Sequence, residues 1–153
     1  MSDSFDLSMR LNGRDVCVQV APCDLLIDVL RDRLGLKGTK RSCDVEVCGA
    51  CTVLADGLPV SSCTTLAVDV DGKKVTTIEG VADAGQLSRV QQAFVDHAGL
   101  QCGFCTPGMV LATTALLEHN PAPSEADIRH YLRGNICRCT GYIKILEAVK
   151  SLV

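Results

Sequence analysis

Eight of the ten cysteines fall into two groups of four, and clustered thiolates in a reducing compartment point to metal rather than disulfides. The first group is Cys43-x4-Cys48-x2-Cys51 with Cys63 following. This is the plant-type [2Fe–2S] spacing, C-x4-C-x2-C…C, in which a short loop curls around the cluster and turns its amides towards sulfur. Gly49 and Ala50 let the backbone approach closely, and N–H···S bonds of that kind favour the reduced, more negative state. Structural zinc also accepts four thiolates, though usually at tighter paired spacings, and is the competing reading. The second group pairs Cys102-x2-Cys105 with Cys137-x-Cys139. On spacing alone it is open to zinc, to a redox dithiol or to a second cluster. The second cysteine pair and the lack of a thioredoxin-like βαβ pattern argue against a dithiol. The neighbouring iron–sulfur motif favours a second cluster, and two one-electron centres in series make a wire. Cys17 and Cys23 are left over. Both are expected to be small packed side chains, Cys17 on the face of its strand opposite Val16 and Val18.

The elements around these cysteines are legible. Thr106 is expected as an N-cap and Pro107 at the first helical position, with Met109-Val110-Leu111-Ala112 continuing inward. Cys102 and Cys105 then sit at the positive end of a helix dipole, where anionic charge is favoured. Before the first site, Asn12-Gly13 joins two alternating runs in a type I′ hairpin. Asp24 is expected to cap a helix over 25–34 that stops at Gly35. Thr52 to Ala55 reads as a strand, Asp56-Gly57 and Asp71-Gly72 as turns, and Pro59 marks an edge or irregular strand. From Leu87 the period becomes helical. Helices are predicted over 87–97 with Val90, Phe94 and Val95 inward, over 109–118, from the Ser124 cap to Leu132, and over 142–152. The expected organisation is α+β, a first domain over 1–79 and a helical one over 80–153. Each half has about 75 residues, a size at which one core rarely supplies more than ~3–5 kcal/mol and a metal site can act as a staple.

Several function classes are excluded. A net charge of −3 gives no electrostatic case for nucleic acid or an anionic membrane. No apolar run approaches the roughly 18 residues of a bilayer span. Met1 to Asp6 lacks the basic and apolar regions of a signal peptide, so a cytoplasmic protein is expected. Gly35-Leu36-Lys37-Gly38-Thr39-Lys40 lacks the spacing of a phosphate loop. His97, His119 and His130 lie in surface helical contexts, and no catalytic constellation accompanies the cysteines.

Three stretches closely resemble the small iron–sulfur subunit of the xanthine oxidase family, the molybdenum hydroxylases. They are Cys43-Asp44 through Cys48-Gly49-Ala50-Cys51-Thr52-Val53, Gln101-Cys102-Gly103-Phe104-Cys105-Thr106-Pro107-Gly108-Met109, and Gly134-Asn135-Ile136-Cys137-Arg138-Cys139-Thr140-Gly141-Tyr142. The resemblance covers nearly the whole chain. It implies a β-grasp, plant-ferredoxin-like N-terminal domain and a four-helix C-terminal domain, each holding a [2Fe–2S] cluster. It also implies a large subunit carrying molybdopterin, in the cytosine dinucleotide form, a medium subunit carrying FAD, and a dimer of heterotrimers. Electrons would run from molybdenum to the helical-domain cluster, then to the ferredoxin-like cluster, then to FAD. Gln101 and Cys139 would lie against the partner's pterin. Many relatives are richer in glycine around the first loop, where this chain carries Val45-Glu46-Val47. A freestanding two-cluster ferredoxin and a zinc-stabilised interaction module are the alternatives.

Overall fold

The computed structural model describes residues 4–153, so part of the stretch read for a signal peptide lies outside the described residues. Strands β1 (Phe5–Leu11) and β2 (Arg14–Val20) form the expected hairpin, with Asn12 at φ 49° and Gly13 at φ 81°. Strict alternation puts Leu7, Met9 and Leu11 into the core and leaves Asp6, Ser8 and Arg10 in solvent. Strands β3 (Thr52–Ala55), β4 (Leu58–Ser61) and β5 (Lys74–Thr76) complete a sheet of order β2-β1-β5-β3-β4. Only the β1–β5 pairing is parallel. Pro59 lies on the edge strand β4, where its missing N–H breaks no ladder.

The helix across this sheet differs from expectation. It is α1 (Leu26–Asp28) running on into a π-helical turn, Val29–Arg33, with Leu25 rather than Asp24 at its N-cap. No side-chain cap is required, because the Leu26 and Ile27 N–H groups donate to the Thr65 and Ser62 carbonyls at 2.9 and 3.0 Å. The Asp24 carboxylate instead accepts the Ala21 N–H at 2.7 Å and pairs with Arg33. Leu26, Val29 and Leu30 enter the sheet core, whereas Ile27 packs on Cys51 and Cys63. One short helix therefore ties the core to the segment that carries Cys63.

Cys17 and Cys23 are both exposed, contrary to the packed positions expected of them. Cys17 does oppose Val16 and Val18, but that face of the edge strand β2 is left open by the described residues. Cys23 sits in the turn that Asp24 closes.

The second half holds four helices: α2 (Arg89–Asp96), α3 (Thr106–His119), α4 (Glu125–Leu132) and α5 (Ile143–Lys150). Capping boxes start α2 and α4, Ser88 with Gln91 and Ser124 with Asp127. On α2, Val90 and Phe94 point inward as predicted, but Ala93 is buried beside them and Val95 is exposed. Helix α3 also starts differently: Cys105 is the N-cap, Thr106 is the first helical residue, and Pro107 follows it. Seven of the eight residues from Met109 to Leu116 are buried, because α2, α4, β3 and β4 pack around this helix. Phe94, Met109, Ile128, Ile145 and Val149 form the helical core.

The two halves pack directly. Leu54 of β3 meets Leu111 and Ala115 of α3 in a buried cluster flanked by Ile78, Val81 and Tyr131. Leu111→Ala should leave a cavity in this seam and destabilise the protein by about 2–5 kcal/mol. The urea midpoint of the variant, compared with wild type in the same metal state, measures it.

Candidate metal centres

Each group of four cysteines is gathered by the fold. In the first, Cys43 and Cys48 are half-buried, and Cys51 and Cys63 are buried together under Ile27. The loop from 43 to 49 alternates into the left-handed region, with Asp44 at φ 56°, Glu46 at φ 58° and Gly49 at φ 66°. Such alternation turns successive N–H groups to one side and makes an anion-binding concavity. The backbone N–H groups of Val45, Cys48 and Val47 are directed at the Cys43 sulfur and hold its pKa down to about 6. The bond from Val47 measures 3.4 Å. Burial acts oppositely on Cys51, which is pushed up to about 11, with Cys63 and Cys48 beside it. Left-handed conformations cost non-glycine residues about 1–2 kcal/mol each, so Asp44 and Glu46 carry strain that glycine would avoid.

In the second group, Cys102 and Cys139 are exposed, Cys105 is half-buried and Cys137 is buried. The Cys139 thiol donates to the Cys102 sulfur at 3.5 Å. The Phe104 N–H lowers the Cys102 pKa and Cys139 adds to the effect, while Cys102 raises that of Cys139. Burial pushes Cys105 up to about 12, with Cys137 and Cys102 adding to it. Burial also works against a thiolate at Cys137, but the Thr140 hydroxyl and N–H, at 3.1 and 3.5 Å, outweigh it and the net shift is downward. Among the described residues, no three His, Cys, Asp or Glu side chains converge on a single-ion position. The Cys102 and Cys139 sulfurs lie 3.5 Å apart, and Cys43 with Cys48, Cys51 with Cys63 and Cys105 with Cys137 are hydrogen-bonding neighbours. The donor set therefore fits: four thiols per site, with N–H or O–H donors aimed at Cys43, Cys102 and Cys137.

Three residues that the sequence did not single out hold the centres. Asn135 donates from Nδ2 to the Gly49 carbonyl at 3.0 Å and to Thr52 Oγ1 at 3.3 Å. The Tyr142 hydroxyl accepts the Cys137 N–H at 2.9 Å. Thr140 acts as described above. Their signal was present in the cysteine motif itself, as polar residues within five places of Cys137. Gln101 is exposed beside Cys102; His119 and His130 are exposed and His97 is half-buried. The two centres also touch through backbone, with Ile136 N–H donating to the Cys48 carbonyl at 2.9 Å.

A β-grasp sheet with a cysteine loop, joined to a four-helix unit with a second cysteine set, defines a two-cluster iron–sulfur electron-transfer protein. Residues 9–77 match the family model of a 2Fe-2S iron-sulfur cluster binding domain and residues 77–150 that of a [2Fe-2S] binding domain. The chain is 47% identical over 148 residues to the nicotine 6-hydroxylase small subunit of Paenarthrobacter nicotinovorans, covering 97% of this chain and 89% of the relative. It is 44% identical over 151 residues to the nicotinate dehydrogenase small FeS subunit of Eubacterium barkeri, covering 99% and 96%. Quinoline 2-oxidoreductase from Pseudomonas putida 86 superposes with a TM-score of 0.93 at 44% identity, covering 97% of this chain and 91% of that one. The aldehyde oxidoreductase from Desulfovibrio gigas gives the same TM-score at 42% identity, but there the match covers only 17% of a much larger chain. The protein belongs to the small iron–sulfur subunits of the xanthine oxidase, or molybdenum hydroxylase, family, and it serves as an electron-transfer subunit.

Gly49 is a tight point of the site. A Cβ there would run into the Gly134 carbonyl and the Asn135 side chain, and the positive φ adds strain. Gly49→Ala should lower the iron content at the first site and reduce stability by at least the ~1–2 kcal/mol of the left-handed alanine. Iron analysis and thermal unfolding of the variant check both effects.

Proposed function

We propose that Cys43, Cys48, Cys51 and Cys63 hold one [2Fe–2S] cluster and Cys102, Cys105, Cys137 and Cys139 hold the other. The observation that carries this reading is the convergence of N–H and O–H donors on the sulfurs of both groups. Bound clusters would supply one-electron relays; the chain fixes their thiolates, screens Cys51, Cys63 and Cys137 from water, and stabilises negative charge on sulfur through Thr140, Val45 and Phe104. The division at 79/80 is supported by the meeting of the two family matches at residue 77.

Within the complex, the second centre faces the large, molybdopterin-bearing subunit, with Gln101 and Cys139 towards the pterin, and the first centre faces a medium FAD subunit. Exposure supports this orientation. Cys102 and Cys139 lie open, and their loops also expose Leu100, Phe104, Ile136 and Ile143, an apolar collar that a freely diffusing carrier would have little reason to show. The cytosine dinucleotide form of the pterin, a dimer of heterotrimers and a cytoplasmic location complete the proposal. No helix among the described residues is long and apolar enough to cross a membrane, which does not bear on the compartment. Relatives named for nicotine and nicotinate support an N-heteroaromatic substrate for the complex, bound by the large subunit.

The purified complex should contain about four iron and four labile sulfides per copy of this chain. Cys48→Ser and Cys102→Ser should each remove one of two distinct EPR signals of the reduced protein, a different one in each case. Stoichiometric zinc, or one variant removing both signals while the other removes none, would defeat the assignment.

A further inference from the structure

The first ligand loop adopts left-handed backbone at two side-chain-bearing residues where glycine would be free of strain, and both are acidic. Their carboxylates reach in different directions. Asp44 accepts from Arg41 Nε at 2.9 Å, and Arg41 also pairs with Asp28 on α1. Glu46 accepts from Thr64 Oγ1 at 3.2 Å, immediately after Cys63. The loop carrying Cys43 and Cys48 is thus clipped on one flank to the helix and on the other to the segment carrying Cys63. Thr64 has a second acceptor within reach, the Ser61 carbonyl at 3.2 Å, so its single hydroxyl proton has a choice of partners.

We infer that Glu46 is a positioning residue of the first centre, closing the ligand loop onto the Cys63 segment while placing a negative charge at the mouth of the site. This rests on the ligand assignment proposed above. The physical content is twofold. As a clip, the carboxylate restrains the half-exposed side of the loop, where Val45 and Val47 stand 64% and 59% exposed and no apolar packing holds the chain down. As a charge, it disfavours addition of an electron to a nearby thiolate-bound centre and so lowers that centre's midpoint potential. Solvent reaches Glu46, so the shift is screened and small. Glutamate at this position therefore opposes the N–H groups of Val45 and Val47, which favour the reduced state.

Two substitutions separate the effects. Glu46→Gln keeps a side chain that can bond Thr64 but removes the charge. Glu46→Gly removes charge, clip and backbone strain together. Both are made in the intact complex, and the first centre's EPR signal is identified as the one that Cys48→Ser abolishes. Potentiometric EPR titration should give a positive shift of that signal in Glu46→Gln, with the other signal unmoved and iron loss to an added chelator as slow as in wild type. Glu46→Gly should show a positive shift as well, together with several-fold faster iron loss from the first site, despite its less strained backbone. An unshifted potential in Glu46→Gln overturns the electrostatic role, because a purely structural residue would behave that way. Wild-type rates of iron loss in Glu46→Gly overturn the clip. Should Cys48→Ser leave both signals in place, the ligand assignment fails and the role of Glu46 falls with it.

Discussion

A single buried amide, Asn135, holds the two halves of the protein in register. Its side chain is almost fully enclosed and donates to the Gly49 carbonyl and the Thr52 hydroxyl, while Thr52 in turn donates to Gly49. Gly49 and Gly108 are small so that this contact can close: side chains at either place would strike the backbone or Asn135 itself. A polar link of this kind is expensive to break, since the buried Asn135 amide would lose both of its acceptors. Glycines 49 and 108 and Asn135 lie close in sequence to Cys48, Cys105 and Cys137, the cysteines proposed as ligands, so domain docking and the proposed metal sites draw on the same stretches. The first cysteine loop is pinned by the helical half, and the stretch before Cys137 is pinned by the sheet half.

The two candidate centres differ in their surroundings. The first buries Cys51 and Cys63 under Ile27, and its outer loop mixes the carboxylates of Asp44 and Glu46 with exposed Val45 and Val47. The second exposes Cys102 and Cys139 beside Leu100, Phe104, Ile136 and Ile143, with the exposed Arg138 between its last two cysteines. The two ends are therefore distinct although each presents four cysteines.

The parts of this architecture that were legible in sequence are those in which one residue decides a local conformation. Asn12-Gly13 and Asp56-Gly57 make turns because their φ angles demand it, Ser124 caps because its hydroxyl meets an orphan N–H, and cysteine spacing marks metal. The departures have tertiary causes. Asp24 lost its capping role because carbonyls from residues 62 and 65, distant in sequence, reached the helix start first. Thr106 became the first helical residue rather than the cap, and its buried hydroxyl has no hydrogen-bond partner among the described residues. Cys17 alternates as a strand residue should, yet alternation cannot reveal whether a sheet face is covered. Asn135 was quoted within its motif, but its task depends on Gly49, which lies 86 residues earlier.

The contact between Ile136 N–H and the Cys48 carbonyl joins the two cysteine-bearing segments through main-chain atoms alone. A link made of backbone is indifferent to which side chains flank it. Substitutions on either loop can alter charge, solvation and partner choice at the two ends while the span between them keeps its composition. Proline at 136 is the exception, since it alone among the residues would delete the donor. Change at either surface therefore leaves this seam intact, because the link depends on main-chain atoms that almost every substitution preserves.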